Sequence, residues 1–258
     1  MASERDLLAS RIIFRAVLPV VKVMLEDDAK MQQLFEGVTG VIQFVAKDES
    51  GPLGGYLHFD NGAYRVVPEI AEKADITFSF SSVAKMNAMF AGKPVLPRIR
   101  GWSNFGLLVK TFKLLLALKI LMPNAQPKTP EGKTLKVKMT LYMVAVALSQ
   151  MNKAGEPEMV KWTTKQPERI YQWSCEPEGI ACYLRVKAGK TKAGRGYYTR
   201  RKPFVHMKFN GADAALKVLS NSVDTVQAIA QGYVVNDGSP EYGGQVGDFM
   251  QRVAALVS

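Results

Sequence analysis

Gly101-Trp102-Ser103-Asn104-Phe105-Gly106 and Gly238-Ser239-Pro240-Glu241-Tyr242-Gly243 follow one pattern: glycine, three residues, an aromatic residue, glycine. Each opens a helical stretch, and each has a phenylalanine six residues after its second glycine, Phe112 and Phe249. Reading backwards from either motif gives the same order of elements. A short helical pattern comes before the glycines, and an alternating strand comes before that helix. The strand spans residues 75–80 in the first half, with Ile76, Phe78 and Phe80 on one face. In the second half it spans residues 204–209, with Val205, Met207 and Phe209 on one face. Period-two alternation of this kind marks a half-buried strand. The two strands begin 26 and 34 residues before their glycines, so the second half is expected to hold a longer helical insert. A repeat this long reads as duplicated domains, since stacked arrays repeat every ~20–50 residues.

The flanking sequence fits that plan. Ser3 is a suitable N-cap for a first helix, Pro19 is expected to kink or restart it, and Gly37 is placed to end the next helix. Residues 41–46, 55–60 and 63–67 read as strands, with Asn61-Gly62 as the tight turn between the last two. Ser81 or Ser82 caps the helix that follows. Beyond a Pro/Arg-rich connection over 92–101, residues 105–122 form a helix that is apolar all round, interrupted by Lys110, Lys113 and Lys119. Those charges argue against a membrane span, so protein, a bound apolar ligand or a membrane surface must cover the helix, protein being the ordinary explanation. Residues 126–133, a Pro/Gly/Lys stretch, divide the chain into domains 1–125 and 134–258. The second domain opens with residues 134–152, which read as a helix although Leu135, Val137, Met139 and Leu141 also fit a strand. A hairpin turning at Glu176-Pro177-Glu178 follows, in which Cys182 opposes Trp173, and the last helix covers 242–257.

Composition narrows the class. With 258 residues, 47% of them hydrophobic, the chain is neither disordered nor a disulfide scaffold. Its two cysteines, and charged residues where a leader's apolar core would lie, lead us to expect a cytoplasmic protein. The net charge of +11 is uneven, at +3 over residues 1–125 and +8 over 126–258. Arg185, Lys187, Lys190, Lys192, Arg195, Arg200, Arg201 and Lys202 form a stretch with no acid, suited to phosphates or an anionic membrane.

Residues 55–94, GYLHFDNGAYRVVPEIAEKADITFSFSSVAKMNAMFAGKP, resemble the sterol-carrier-protein lipid-binding domain. That family's hairpin closed by Asn/Asp-Gly, its strand opening on Ala-Asp and its short helix ending in Ala/Ser-Gly-Lys all have counterparts here. A looser copy covers residues 168–257 and closes with the Gly232–Tyr242 segment, whereas the first spans about residues 38–120. Pro94 and Pro97 depart from the pattern at the edge of the first copy, and the basic stretch exceeds the usual hairpin. The resemblance implies an α+β fold of two sterol-carrier-like modules, each a mixed or antiparallel sheet covered on one side by helices. It also implies an apolar tunnel for a sterol, fatty acid or fatty acyl-CoA. Lining positions would be Phe78, Phe80, Met86, Met89, Phe90, Leu108, Phe112 and Leu115. In the second copy they would be Met207, Phe209, Leu216, Leu219, Phe249 and Val253. Frequent methionine suits a cavity that adapts to its guest.

Nothing in the sequence assembles a catalytic, metal or cofactor constellation. His58 and His206 fall on the polar faces of their strands, and the Gly-Lys-Thr triplets at 132–134 and 189–191 lack the first glycine of a phosphate loop. The expected role is binding rather than catalysis, with no cofactor. The expected partners are a lipid or acyl-CoA and an anionic membrane, with a homo-oligomer left open. The competing reading is nucleic-acid binding through the basic stretch, with Tyr197 and Tyr198 as stacking platforms.

Overall fold

Two five-stranded sheets of one connectivity organise the chain in a computed structural model that describes residues 1–220 and 222–257. The chain divides into two compact units, one of Met1–Met122 with Leu256–Ser258 and one of Pro123–Ala255, so the expected 134–258 domain loses its last residues.

The first unit opens with α1 (Glu4–Ile12), whose N-cap Ser3 accepts from the Asp6 N–H while the Asp6 carboxylate accepts from Ser3. Around Pro19 the helix restarts, as its sequence leads one to expect. The chain passes through a π turn (Ile13–Val17) and a 3-10 turn (Leu18–Val20) into α2 (Val21–Asp27) and α3 (Ala29–Phe35), because proline's missing N–H is absorbed where the helical spacing changes. The sheet comprises β1 (Gly40–Ala46), β2 (Leu53–Asp60), β3 (Ala63–Val67), β4 (Ile76–Phe80) and β5 (Arg98–Arg100), with α4 (Val83–Phe90) between the last two. Asn61 and Gly62 form the β2–β3 turn with φ of +47° and +83°, the conformation Asn-Gly favours. The closing helix α5 (Phe105–Ala117) is preceded by a 3-10 turn (Trp102–Asn104) and followed by another (Leu118–Leu121).

The second unit begins with α6 (Pro130–Ala154) and α7 (Pro157–Thr164). α6 starts inside the stretch that reads as a linker. Thr129 accepts from the Gly132 N–H, and Pro130 occupies the first helical turn, where its missing N–H costs nothing. Then follow β6 (Arg169–Glu176), β7 (Ile180–Lys187), β8 (Lys190–Arg195), β9 (Val205–Asn210), α8 (Ala212–Leu219), α9 (Thr225–Ala230), β10 (Val234–Gly238) and α10 (Pro240–Val257). α9 is the helical insert that the unequal spacing calls for.

The strand orders are β3-β2-β1-β4-β5 and β8-β7-β6-β9-β10. In each sheet the first and fourth strands of the unit pair in parallel, and every other pairing is antiparallel. Register agrees as well: Ile42↔Ile76 and Phe44↔Phe78 in one sheet match Tyr171↔Val205 and Trp173↔Met207 in the other. Trp173 opposes Cys182, as the hairpin pattern predicts.

The repeated first glycine has one cause in both units. Gly101 (φ +93°) and Gly238 (φ +106°) lie in the left-handed region. A Cβ on Gly101 would fall 1.9 Å from the Asp75 carbonyl oxygen, and one on Gly238 would fall 2.1 Å from that of Phe204. Both carbonyls immediately precede the parallel strand. The second glycine of the motif is different: Gly243 is crowded by Asn236, whereas Gly106 faces open space.

The tandem α+β organisation expected from the repeat is therefore the observed one, with helices on one face of each sheet. A second feature went unforeseen. On the other face, one glutamine per unit ties down the chain that links the third and fourth strands. Gln43 Oε1 accepts the Ala71 N–H at 2.7 Å, and Gln172 Oε1 accepts the Tyr198 N–H at 2.9 Å.

Candidate functional site

In the first unit, the layer between sheet and helices is built from aromatic rings. Phe44 of β1 stacks on Phe78 of β4 at 5.0 Å, because the parallel register places them side by side. Phe44 also meets Phe90 of α4 edge-on at 5.1 Å, and Phe90 meets Phe14 at 6.3 Å. At the other end, the Phe112 ring stands edge-on to Phe78 at 5.8 Å. The series Phe14–Phe90–Phe44–Phe78–Phe112 thus runs from the N-terminal helices to the protein surface, where Phe112 is 46% exposed. Of the positions expected to line a tunnel, Phe78, Phe80, Met86 and Leu108 are buried, and Met89, Phe90 and Leu115 are half-buried. Phe14 and Phe44 join the layer without having been singled out. The inward alternation Ile42, Phe44, Ala46 in β1 carried that signal for Phe44.

The corresponding layer of the second unit is more polar. Phe209, Phe249 and Val253 are buried, and Met207, Leu216 and Leu219 are half-buried. Trp162 of α7 covers this layer, with its ring 5.0 Å from Tyr171 and 5.4 Å from Phe249. It also donates to Gln245 Oε1 at 2.8 Å. The Arg169 guanidinium sits between the Phe204 and Tyr242 rings at 4.0 and 4.2 Å. Among the described residues, Trp173 Nε1 and Thr140 Oγ1 are buried polar atoms with no hydrogen-bond partner.

A separate cleft of about 440 Å³ lies in the first unit beside α3 and the β2–β3 turn. Leu25, Gln32, Gln33, Glu36 and Asn61 are among its lining, and none of the expected tunnel residues borders it.

The basic stretch folds as β7, β8 and the loop beyond. An acid from outside it changes its charge. Glu168 holds Arg185 at 2.7 Å, Lys187 at 3.7 Å and Arg201 at 3.8 Å. Burial alone would raise the Glu168 pKa, but the Arg185 hydrogen bond and the charges of all three cations keep it below the usual range. Arg195 lies 4.9 Å over the Tyr142 ring. Lys190, Lys192, Arg200 and Lys202 remain exposed. The tyrosines do not offer two open platforms. Tyr198 packs edge-on to Tyr183 at 5.0 Å, and the Tyr197 hydroxyl donates to Glu176.

Both histidines are half-buried rather than solvated. Arg65 Nε donates to His58 Nδ1 at 3.0 Å. His206 Nε2 lies 2.8 Å from Ser174 Oγ, and in register His206 faces Asp237. These three do not form a relay: Ser174 is 1% exposed and the Asp237 carboxylate is held by Lys208. Burial lowers the His206 pKa, Lys208 lowers it further and Asp237 opposes both. The thiols are free and buried. Burial first, then the bond to Glu178, pushes Cys175 up to about 12, and burial also raises Cys182. Among the described residues, no three His, Cys, Asp or Glu side chains gather as metal ligands, and no helix is long and apolar enough to cross a membrane.

No family model and no curated protein matches this chain. Solved structures do match at low identity. One is a UbiJ-SCP2 ubiquinone synthesis protein, 12% identical with a TM-score of 0.30, the match covering 45% of this chain and 95% of that one. Another is a conserved hypothetical protein, possibly sterol carrier protein, from Thermus thermophilus. It is 17% identical with a TM-score of 0.31, over 45% of this chain and 86% of that one. A third is the inverting sec-alkylsulfatase Pisa1 from Pseudomonas sp., 15% identical with a TM-score of 0.27. That match covers 57% of this chain, which spans only 28% of the sulfatase.

Proposed function

We propose that the chain is a tandem sterol-carrier-like protein that binds a hydrophobic ligand (a sterol, fatty acid or fatty acyl-CoA) between sheet and helices and carries it without chemistry. The observation that carries this reading is the ring series of the first unit, which reaches the surface at Phe112. The series is an unbroken apolar layer with one end at the surface, so a hydrocarbon chain that displaced the rings would stay in apolar surroundings along it. Each Å² of its surface removed from water contributes roughly 25 cal/mol. The sequence likeness over residues 38–120 and the duplicated topology support the same reading. The two buried thiols suit a reducing compartment, and we place the carrier in the cytoplasm.

The guest enters by displacing Phe112 from Phe78, and the rings behind it part to receive the chain. Organic extraction of the purified protein, followed by mass spectrometry, is expected to recover a lipid at a defined stoichiometry. Phe112→Asp is expected to abolish that lipid while leaving the circular dichroism spectrum unchanged. A folded variant that still holds its lipid would remove Phe112 from the path, and an empty wild-type protein that takes up no added fatty acid or sterol would end the carrier reading.

A further inference from the structure

The exposed face of α5 and the loop leading to it bear on a different partner. At 100° per residue, Phe105, Val109, Phe112 and Leu116 fall within about 60° of one another on the helix. Thr111 and Leu114 on the far side, and Leu108 on the flank next to Phe112, are buried in the unit's own core. The first stripe is not: Phe105 is 65% exposed and Leu116 63%. Next to it are Trp102, 61% exposed, and Leu96, 99% exposed on a loop stiffened by Pro94 and Pro97.

The duplicated unit supplies an internal control. Phe249 and Val253 of α10 occupy the places of Phe112 and Leu116, and they are 8% and 0% exposed, the former under Trp162. The outward positions of α10 are polar, Asp248, Gln251 and Arg252 among them. α3, which precedes the first sheet, has no tryptophan, and its Phe35 stacks inward on Phe59 at 4.8 Å. The same stripe is therefore covered in one copy and bare in the other.

Charge identifies what covers the bare copy. From Ile76 to Pro130 the chain contains no Asp or Glu but eight Lys or Arg. Arg98 and Arg100 point outward from the edge strand, and Lys113 and Lys119 are exposed beside the stripe. Among the described residues, none of these four meets a carboxylate at ion-pair distance. A second copy docking here would set cations against cations. A row of exposed aromatic and aliphatic side chains flanked by unpaired lysines and arginines is the pattern of an interfacial helix. We infer that α5 and the 92–104 segment form a docking face for an anionic lipid membrane, and that this face, rather than the 185–202 stretch partly neutralised by Glu168, holds the protein there. The inference stands apart from the carrier reading, because docking requires no lipid inside the unit.

Sedimentation of the full chain with phosphatidylcholine vesicles, with and without about a third phosphatidylglycerol, tests it. Binding is expected only to the anionic vesicles. It should fall at least about tenfold for Lys113→Glu with Lys119→Glu, and similarly for Leu96→Ser with Leu116→Ser. All four positions are solvent-facing, so folding should be preserved. Of the three tryptophans, Trp102 is the exposed one. Its emission should shift to the blue on anionic vesicles, and Trp102→Phe should remove the shift. Equal binding to neutral vesicles would overturn the inference. So would unchanged binding of both double variants, or loss of binding only on replacing Arg200, Arg201 and Lys202. A dimer that dissociates in Leu96→Ser with Leu116→Ser would assign the face to a second copy. Retention on polyglutamate without vesicle binding would assign it to an acidic protein. Lipid extraction reports on the carrier reading separately.

Discussion

At the centre of the first sheet Phe44 and Phe78 stack, and Phe112 closes on them from a helix that faces solvent; at the same positions the second sheet has Trp173 and Met207, and its Phe249 lies under Trp162. The backbones agree in strand order, direction and register, while the side chains filling the layer have diverged. What the copies share is where backbone approaches backbone, at Gly101 and Gly238, and where a buried amide ties the second face, at Gln43 and Gln172. What they do not share is whether the closing helix is covered. Duplication preserved the constraints that admit one solution and released those that admit many. The binding role proposed above therefore falls mainly on the first unit, where the apolar layer reaches solvent.

The largest effect expected from attacking this likeness lies at the glycines. Alanine at Gly101 or Gly238 places a methyl group 1.9 or 2.1 Å from a carbonyl oxygen in a left-handed conformation that L-residues disfavour. Neither carbonyl can move without shifting the parallel strand it precedes. Each substitution is expected to destabilise its own unit by more than about 3 kcal/mol. Calorimetry reads this as one transition lowered and the other kept. Gly106→Ala, by contrast, meets open space and should leave both transitions in place. Equal tolerance of Gly101→Ala and Gly106→Ala would mean that the repeated motif has some other cause.

The sequence disclosed this plan where physical constraint leaves a short-range mark. Strict alternation in β4 and β9, Asn61-Gly62, the Ser3 cap and a cap at Ser81 or Ser82 (Ser82 in the structure) were all readable, because each depends on residues within a turn of one another. β5 and β10 were not. Arg98-Ile99-Arg100 is too short to show a period, and Val234–Gly238 runs into Asn-Asp-Gly-Ser-Pro, which reads as a turn. Both strands exist because a neighbouring edge offers hydrogen bonds, a long-range cause. α7 was missed because Pro157 looks like a breaker, whereas at the start of a helix it is favourable. For the site, the inward faces of β4 and α4 were legible. That Phe112 would be exposed and Phe249 covered was not, since the difference depends on Trp162, 87 residues before Phe249. Glu168, likewise, lies outside the basic stretch whose charge it reduces.

A smaller effect should separate the two amide ties. Gln172 accepts from Tyr198 and donates to the Cys182 carbonyl at 2.7 Å, whereas the tie at Gln43 is the bond from Ala71. Leucine in place of Gln172 leaves more groups unpaired in a drier setting and is expected to cost about 2–3 kcal/mol, against about 1 kcal/mol for Gln43→Leu. Hydrogen exchange at the Tyr198 and Ala71 amides checks the cause, because each amide should lose protection only in its own variant. Equal losses of stability would mean that the ties do equivalent work despite their unequal bonding.

The smallest expected difference depends on pH. In register, His206 of the second sheet stands where Thr77 stands in the first, each beside its tie glutamine. Burial, with Lys208 adding to it, lowers the His206 pKa in the folded chain, so near pH 6.5 the unfolded chain binds a proton more readily than the native one. The stability linked to neutral His206 is therefore complete above about pH 6.5 and declines as the pH falls towards the lower native value. Glu168 and Asp237, whose native pKa values are also lowered, lose their contributions only at more acid pH, in the carboxylate range. His206→Thr imports the residue of the first unit and removes the proton exchange. Urea unfolding of the wild type between pH 7.5 and 5 should show stability falling with pH, and the variant should show a shallower slope over that interval. Identical slopes would mean that His206 titrates alike in both states, and that the half-buried bond to Ser174 leaves it open to water.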